Sequence, residues 1–329
     1  MENIQTDFGR VMLGLQGVHR VANDFVRAEL GMERMQSRWA KLRLGYWRRI
    51  HKAPPDRLLS WLARLRKMHV SWGGQFSANA WMTGTKRMME KYGLERFWLH
   101  PALATLVSKE DWKERVAEEV ERHEDAQREE RAKSMSSVAS ARYQKIKGWA
   151  RVSEDAAKFT GEIGRRGALV PGGYLDDHLE PVGRKLKMCC RAGCLPVLDR
   201  VGRAEEWAPQ VRKCMLCDTG EIETVQHLIL SCPTHQHHRE TMLGGVSRAY
   251  KHSMVTQQND DVDFGILDSN SQCNILLGES TGLPIMDTRI DALFKRFIKK
   301  AWRNRKRVTR AVHEVLGDEG GLWALVKGS

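Results

Sequence analysis

Arg212-Lys213-Cys214-Met215-Leu216-Cys217, and then Glu223-Thr224-Val225-Gln226-His227-Leu228-Ile229-Leu230-Ser231-Cys232-Pro233, is the stretch whose reading decides the fold. It sets Cys214, Cys217, His227 and Cys232 in the pattern C-x2-C-x9-H-x4-C. Two thiols separated by two residues make a tight turn that points both sulfurs at one ion. The spacing predicts a short helix over Thr224–Leu230 that carries His227 toward that turn, with Cys232 just past its end and Pro233 stopping it. Three sulfurs and one imidazole nitrogen suit tetrahedral zinc, and four protein ligands close the shell, so the expected zinc is structural. His235, His237 and His238 lie close enough in sequence to stand in for Cys232. Cys189, Cys190 and Cys194 lack a well-spaced histidine and read as core thiols, and Cys273 stands alone.

Outward from this knuckle the chain reads as helices. Downstream, Arg289–Val315 has Ile290, Leu293, Phe294, Phe297, Ile298, Ala301 and Trp302 on one face and basic residues on the others. Upstream, Leu179–Leu198 predicts a helix. Nearer the start, Phe8, Val11, Met12 and Leu15 recur at helical spacing, as do Val26, Leu30, Met35, Trp39, Leu42, Leu44 and Trp47, with Gly31 as an interruption. Ala53-Pro54-Pro55-Asp56 ends that run. Leu58, Leu59, Trp61, Leu62 and Leu65 begin another, and helices are expected near 76–92 and 94–107. Ser108 suits a helix cap with acids in the first turn after it. Glu110–Lys133 is charged all round and reads as a long exposed helical spacer. A break at Ser134–Ser137, a short helix closed by Trp149, a glycine-rich boundary over Gly161–Gly173 and an acidic loop over Gln257–Asp268 complete the outline. Alternating β-branched runs are scarce, so the expected fold is mainly α: helical segments around a small zinc-binding knuckle, with no polymerase palm.

The chain has 329 residues, with 54 Lys and Arg against 41 Asp and Glu and a net charge of +13. That length predicts several segments: a helical region over 1–107, a charged helical spacer over 108–150, a helical lead-in and knuckle over 151–240, and a basic helical region over 241–329. No run approaches eighteen apolar residues, and Met1–Phe8 lacks a basic-then-apolar export layout. Seven cysteines are an odd number for a disulfide scaffold. The expectation is an intracellular protein, nuclear or cytoplasmic, with no membrane partner. The charge is uneven: residues 1–108 carry 18 basic and 8 acidic side chains, whereas 109–133 carry 7 and 10. Arg289–Arg310 holds ten basic residues and one acid, Asp291. Two cationic poles of this kind attract polyanions, because each cation near a phosphate releases a condensed counterion.

Tyr174-Leu175-Asp176-Asp177 matches the Y-x-D-D turn of reverse transcriptases. Its flanks, Pro171-Gly172-Gly173 and His178-Leu179-Glu180-Pro181, do not make a buried strand, so a solvated turn and helix cap is expected. The knuckle, in contrast, resembles the zinc-binding region that follows the polymerase in LINE-type (non-LTR) retrotransposon reverse transcriptases, where a Glu-Thr-x-x-His string ending in Cys-Pro follows a C-x2-C pair. Arg191–Val197 is similar to the lead-in of that region. Phe8-Gly9-Arg10, Leu13-Gly14-Leu15 and Arg27–Gly31 resemble the thumb-like segment beyond the palm, and Leu276-Leu277-Gly278 and Phe297–Arg305 the helical close. The sequence departs from the family in lacking fingers, palm, a catalytic aspartate set and an ordered nuclease centre.

What the resemblance implies is a carboxyl-terminal portion that binds template RNA or target DNA without polymerising. The expected partners are RNA or DNA, with no small-molecule substrate. The expected contacts are Arg296, Lys299, Lys300, Arg303, Arg305, Lys306 and Arg307 on the last helix, and Arg43, Arg48, Arg49 and Lys52 on an early one. A helical protein-interaction scaffold with a structural zinc, or a degenerate retroelement fragment, are the alternatives. An enzyme would need paired acids or a nucleophile in a cleft, for which only Tyr174–Asp177 and scattered histidines offer candidates.

Overall fold

A computed structural model of the chain describes residues 2–15, 21–71, 81–134, 173–176, 180–255 and 264–316. The expected break at 135–137, the helix ending at Trp149, the glycine-rich stretch 161–172 and the first part of the acidic loop lie outside them. In chain order the helices are α1 (Glu2–Met12), α2 (Asn23–Glu29), α3 (Met35–Lys52), α4 (Leu58–Ser71), α5 (Trp81–Lys91), α6 (Glu95–Leu99), α7 (Pro101–Leu106) and α8 (Lys109–Ser134). They continue with α9 (Pro181–Arg191), α10 (Leu198–Ala204), α11 (Gln236–Val255), α12 (Ser269–Leu277) and α13 (Pro284–Leu316). The described residues contain no strand, and one antiparallel bridge pairs Lys213 with Ile222. The protein is mainly α.

The chain divides into two compact units, one of Met1–Gln5 with Glu33–Lys133 and the other of Thr6–Met32 with Ser134–Ser329. The boundaries expected at 107 and 240 therefore fall inside units. In the first unit, Leu44 and Trp47 of α3, Met89 of α5, Phe97 and Trp98 of α6 and Ala104 of α7 share a core with Trp112, Val116 and Val120 of α8. This corrects the reading of 110–133 as an exposed spacer. Three apolar residues four apart suffice to make one face of an otherwise charged helix, and Trp112 stacks on Trp47 at 6.2 Å and donates its Nε1–H to Leu44 O at 3.3 Å. Ser108 caps this helix, its Oγ accepting from Asp111 N at 3.0 Å.

Two apolar stripes are largely exposed. Phe8, Val11 and Met12 of α1 are exposed, and α1 is followed by buried Leu13 and Leu15. Helix α4 exposes Leu58, Leu59, Trp61 and Leu65 and buries the small residues Ser60 and Ala63. A narrow face lets a helix approach its neighbours closely, and spacing alone does not say which of two faces is used.

The second unit is built on α13. Ile290, Phe294, Phe297, Ile298, Ala301 and Trp302 are all buried against α9, α11 and α12. Gly183 of α9 makes one of these approaches possible, since a Cβ there would lie 2.6 Å from Lys295 O. A buried ionic network crosses the same unit. Arg191 donates to Glu29 Oε1 at 2.6 Å, and Tyr174 Oη donates to Glu29 Oε2 at 2.6 Å. Lys187 and Lys295 both pair with Asp291, at 2.7 and 2.5 Å. Tyr174 is thus no solvated turn residue: it sits in a core with Val26, Phe25 and Met188, and Leu175 O accepts from Arg184. Asp177 lies outside the described residues.

Candidate metal centre and basic surface

The knuckle is a small hairpin followed by a helical turn. Cys214 N donates to Glu221 O at 2.8 Å and Glu223 N to Arg212 O at 2.9 Å, and Gly220 turns the chain with φ of +70°. Cys214 and Cys217 come off one arm of this hairpin. Past it, Thr224 Oγ1 caps the next turn by accepting from His227 N at 3.0 Å. The turn His227–Ser231 is π-helical, with Cys232 N donating to His227 O at 2.8 Å. It buries Leu228 and Ile229 in the core, which anchors the turn, and leaves His227 facing the hairpin. The expected helix is thus a single wide turn, and Pro233 opens a short 3-10 turn leading into α11 instead of only ending one.

One ligand atom from each of Cys214, Cys217, His227 and Cys232 lies within 4.8 Å of the other three. Cys214 and Cys232 sulfurs are 4.0 Å apart, and Cys217 Sγ is 3.4 Å from His227 Nε2. Sulfurs on a tetrahedral ion with about 2.3 Å bonds sit about 3.8 Å apart, so a metal ion fits with small adjustment. Glu221 Oε2 lies 2.6 Å from His227 Nδ1, which directs Nε2 into the cluster. The hydrogen bond to Cys232, with smaller contributions from Glu221 and Cys217, raises His227 to about 9 against the opposing effect of burial. The hydrogen bond from Cys214 draws Cys232 down toward thiolate and pushes Cys214 up. A divalent cation takes thiolates and neutral imidazole, so its binding displaces these protons. His235 is buried with neither ring nitrogen paired, but the cluster draws its fourth donor from Cys232.

Glu223 connects the knuckle to α13. Wholly buried, it accepts from Leu198 N at 2.7 Å and from Arg305 Nε and Nη2 at 2.6 and 2.9 Å. Arg305 is therefore no nucleic-acid contact: it is spent on a buried bidentate pair. Lys299 pairs with Glu180 at 2.8 Å, and Lys306 is half-buried. Arg296, Lys300, Arg303 and Arg307 are exposed, as are Arg289 and Arg310, which sequence reasoning left out. These six share one side of α13, since steps of 7, 4, 3, 4 and 3 residues return to the same face, and they span about 30 Å. Among the described residues none of the six is ion-paired.

The chain matches no protein-family model, no curated protein and no solved structure.

Two clefts flank the stripe. One, of about 530 Å³, has Trp302 against Lys299, Arg303, Lys306, Arg307 and Arg310. The other, of about 800 Å³, lies between α11 and α13 and is lined by Arg248, Lys251, Arg289 and Arg296 with Ala249 and Leu293. No carboxylate lines either cleft. The early pole differs. Arg43 donates to Thr85 Oγ1 at 2.9 Å and to Trp81 O, and lies over the Trp81 ring at 5.5 Å. Arg48 is buried and donates to Ala104 O at 2.8 Å and Val107 O at 2.6 Å, closing the end of α7. Burial takes Arg48 out of the expected contacts, while Arg43 is half-buried and hydrogen-bonded within the fold; Arg49 and Lys52 are exposed. Cys190, Cys194 and Cys273 are buried core thiols, and Cys189 is half-buried. No described helix is long and apolar enough to cross a membrane.

Proposed function

We propose that this protein is a non-catalytic nucleic-acid-binding module, of the kind its resemblance to the carboxyl-terminal region of LINE-type reverse transcriptases implies. In this reading α13 lies along the phosphate backbone. The observation that carries it is the file of six exposed cations on one side of α13, none ion-paired among the described residues, bordered by two clefts without carboxylates. A file of cations without acidic neighbours among the described residues raises the local positive potential, which attracts a polyanion.

The cation in the knuckle is zinc in a closed structural site, on the grounds of three sulfurs, one imidazole and no open position among the four donors. Its role is to fix the hairpin that holds Glu223, and through Arg305 to hold α13 in register. Metal content of about one zinc per chain is the expected result.

Fluorescence anisotropy with a short RNA and a DNA duplex across a salt series tests the main reading. Affinity should fall steeply with salt, and the variant carrying Gln at 296, 300, 303 and 307 should bind more weakly, with a log–log slope smaller by about 3 to 4 for duplex DNA. An affinity indifferent to salt, or a variant that binds like the parent, would remove the stripe from the interface.

A further inference from the structure

We propose that the open pocket between α3, α4 and α7 in the 33–133 unit is an oxyanion site that takes a phosphate monoester group. The pocket holds about 390 Å³ and is lined by His51 of α3, Arg64 and Lys67 of α4, and Pro101, Ala102 and Thr105 of α7. Three basic side chains thus converge from two helices, and no acid is among the lining residues. Lys67 Nζ has the neutral carbonyl of Leu99 at 3.3 Å, and Arg64 has no ion pair among the described residues. The third observation is His51 Nε2, a buried ring nitrogen with no hydrogen-bond partner.

The buried ring nitrogen lacks a partner, and beside it lie the exposed Arg64 and the half-buried Lys67, the latter 5.9 Å over the Trp98 ring, with no acid among the lining; one oxyanion would meet all three groups. Burial first, then Lys67 and Arg64, hold His51 down at about 4, and burial lowers Lys67. A neutral imidazole donates one N–H to a phosphate oxygen, while Arg64 and Lys67 supply the charge. The Thr105 hydroxyl borders the same space, although its proton goes to Ala102 O at 2.9 Å. The volume admits a phosphate together with the sugar that bears it. This site lies in a different unit from the α13 stripe and does not depend on it.

Two sources share this chemistry, a free phosphorylated small molecule and the terminal phosphate of a nucleic acid. The test uses the full chain with inorganic phosphate, followed through the His51 ring resonances, and a trinucleotide with either a 5′-phosphate or a 5′-hydroxyl. Phosphate should shift His51 saturably. Arg64→Gln with Lys67→Gln should weaken that binding about tenfold or more, whereas Gln at 296, 300, 303 and 307 should leave it unchanged. Arg64→Gln alone, at an exposed position, gives the same direction should the double variant fold poorly. A gain of about tenfold for the 5′-phosphorylated trinucleotide, lost in the double variant, assigns the site to nucleic-acid ends. Equal trinucleotide affinities with phosphate binding retained assign it to a free ligand. Phosphate that leaves His51 unmoved, or binds the double variant as it binds the parent, overturns the proposal.

Discussion

The two basic poles of this chain look alike in sequence and do different work in the fold. On α3, Arg43 and Arg48 turn inward to carbonyl oxygens of neighbouring helices. On α13, Arg305 turns inward to a carboxylate, while six other cations stay out. Charge counting cannot separate a cation turned into the fold from one left in solvent; position on the helix can. Arg43 and Arg48 lie three and four residues from buried Ala40 and Leu44, and Arg305 lies four from buried Ala301, so each falls on the core face of its helix. The α13 stripe falls on the opposite side.

The largest effect that would sharpen this contrast is disruption of the four-donor cluster. Because Glu223 belongs to the knuckle and holds Arg305, Cys214→Ser should release the hairpin and loosen the α13 pole while leaving the 33–133 unit intact. Hydrogen exchange is the measurement: protection should fall over 198–235 and around 305 and stay unchanged along α3 and α8. Unchanged exchange in the knuckle would mean that the four donors are merely neighbours. Glu221→Gln, which keeps all four donors but weakens the orientation of His227, should lower metal affinity about 10- to 100-fold.

Single substitutions come next. Arg305→Ala strands the buried Glu223 carboxylate and should cost about 3–5 kcal/mol, read by denaturant unfolding. Arg48→Ala strands two carbonyl oxygens and should cost about 1–3 kcal/mol. Arg303→Ala, on the outer face of the same helix as Arg305, should stay within about 0.5 kcal/mol and act on binding alone. If Arg303 and Arg305 gave equal losses of stability, the division of α13 into an inner and an outer cation set would collapse.

How much of this was legible follows from range. The knuckle spacing, the apolar face of α13 and the Ser108 cap are local patterns, and the structure has them. What escaped is what depends on a distant partner. Glu29 reads as an ordinary surface acid until Arg191 and Tyr174 reach it from more than 140 residues away. Glu223 likewise gives no sign of Arg305. In α8, Trp112, Val116 and Val120 are few against the surrounding charge, and in α4 and α1 helical spacing alone leaves open which face turns inward. Arg289 and Arg310 were within reach: extending the Arg296–Arg307 spacing by one step each way finds them.

The smallest expected effect is a pH response confined to the first pole. His51 has a folded pKa of about 4 against an ordinary 6.5, so on acidification the unfolded chain takes up its proton first. Stability is then level above about pH 6.5 and falls between about 6.5 and 4, since the unfolded state binds more protons there. The full shift is diminished by partial solvent access, leaving on the order of 1–2 kcal/mol. Titrating the unfolding free energy from pH 7.5 to 4.5 in the parent and in His51→Gln isolates this group, because every other titration is common to both. The parent should lose more than the variant. Parallel curves would show that His51 accepts its proton as readily folded as unfolded, and that neither its burial nor the nearby Lys67 and Arg64 has an energetic consequence. Inorganic phosphate in the buffer should reduce the difference, since an oxyanion beside the ring favours its charged form.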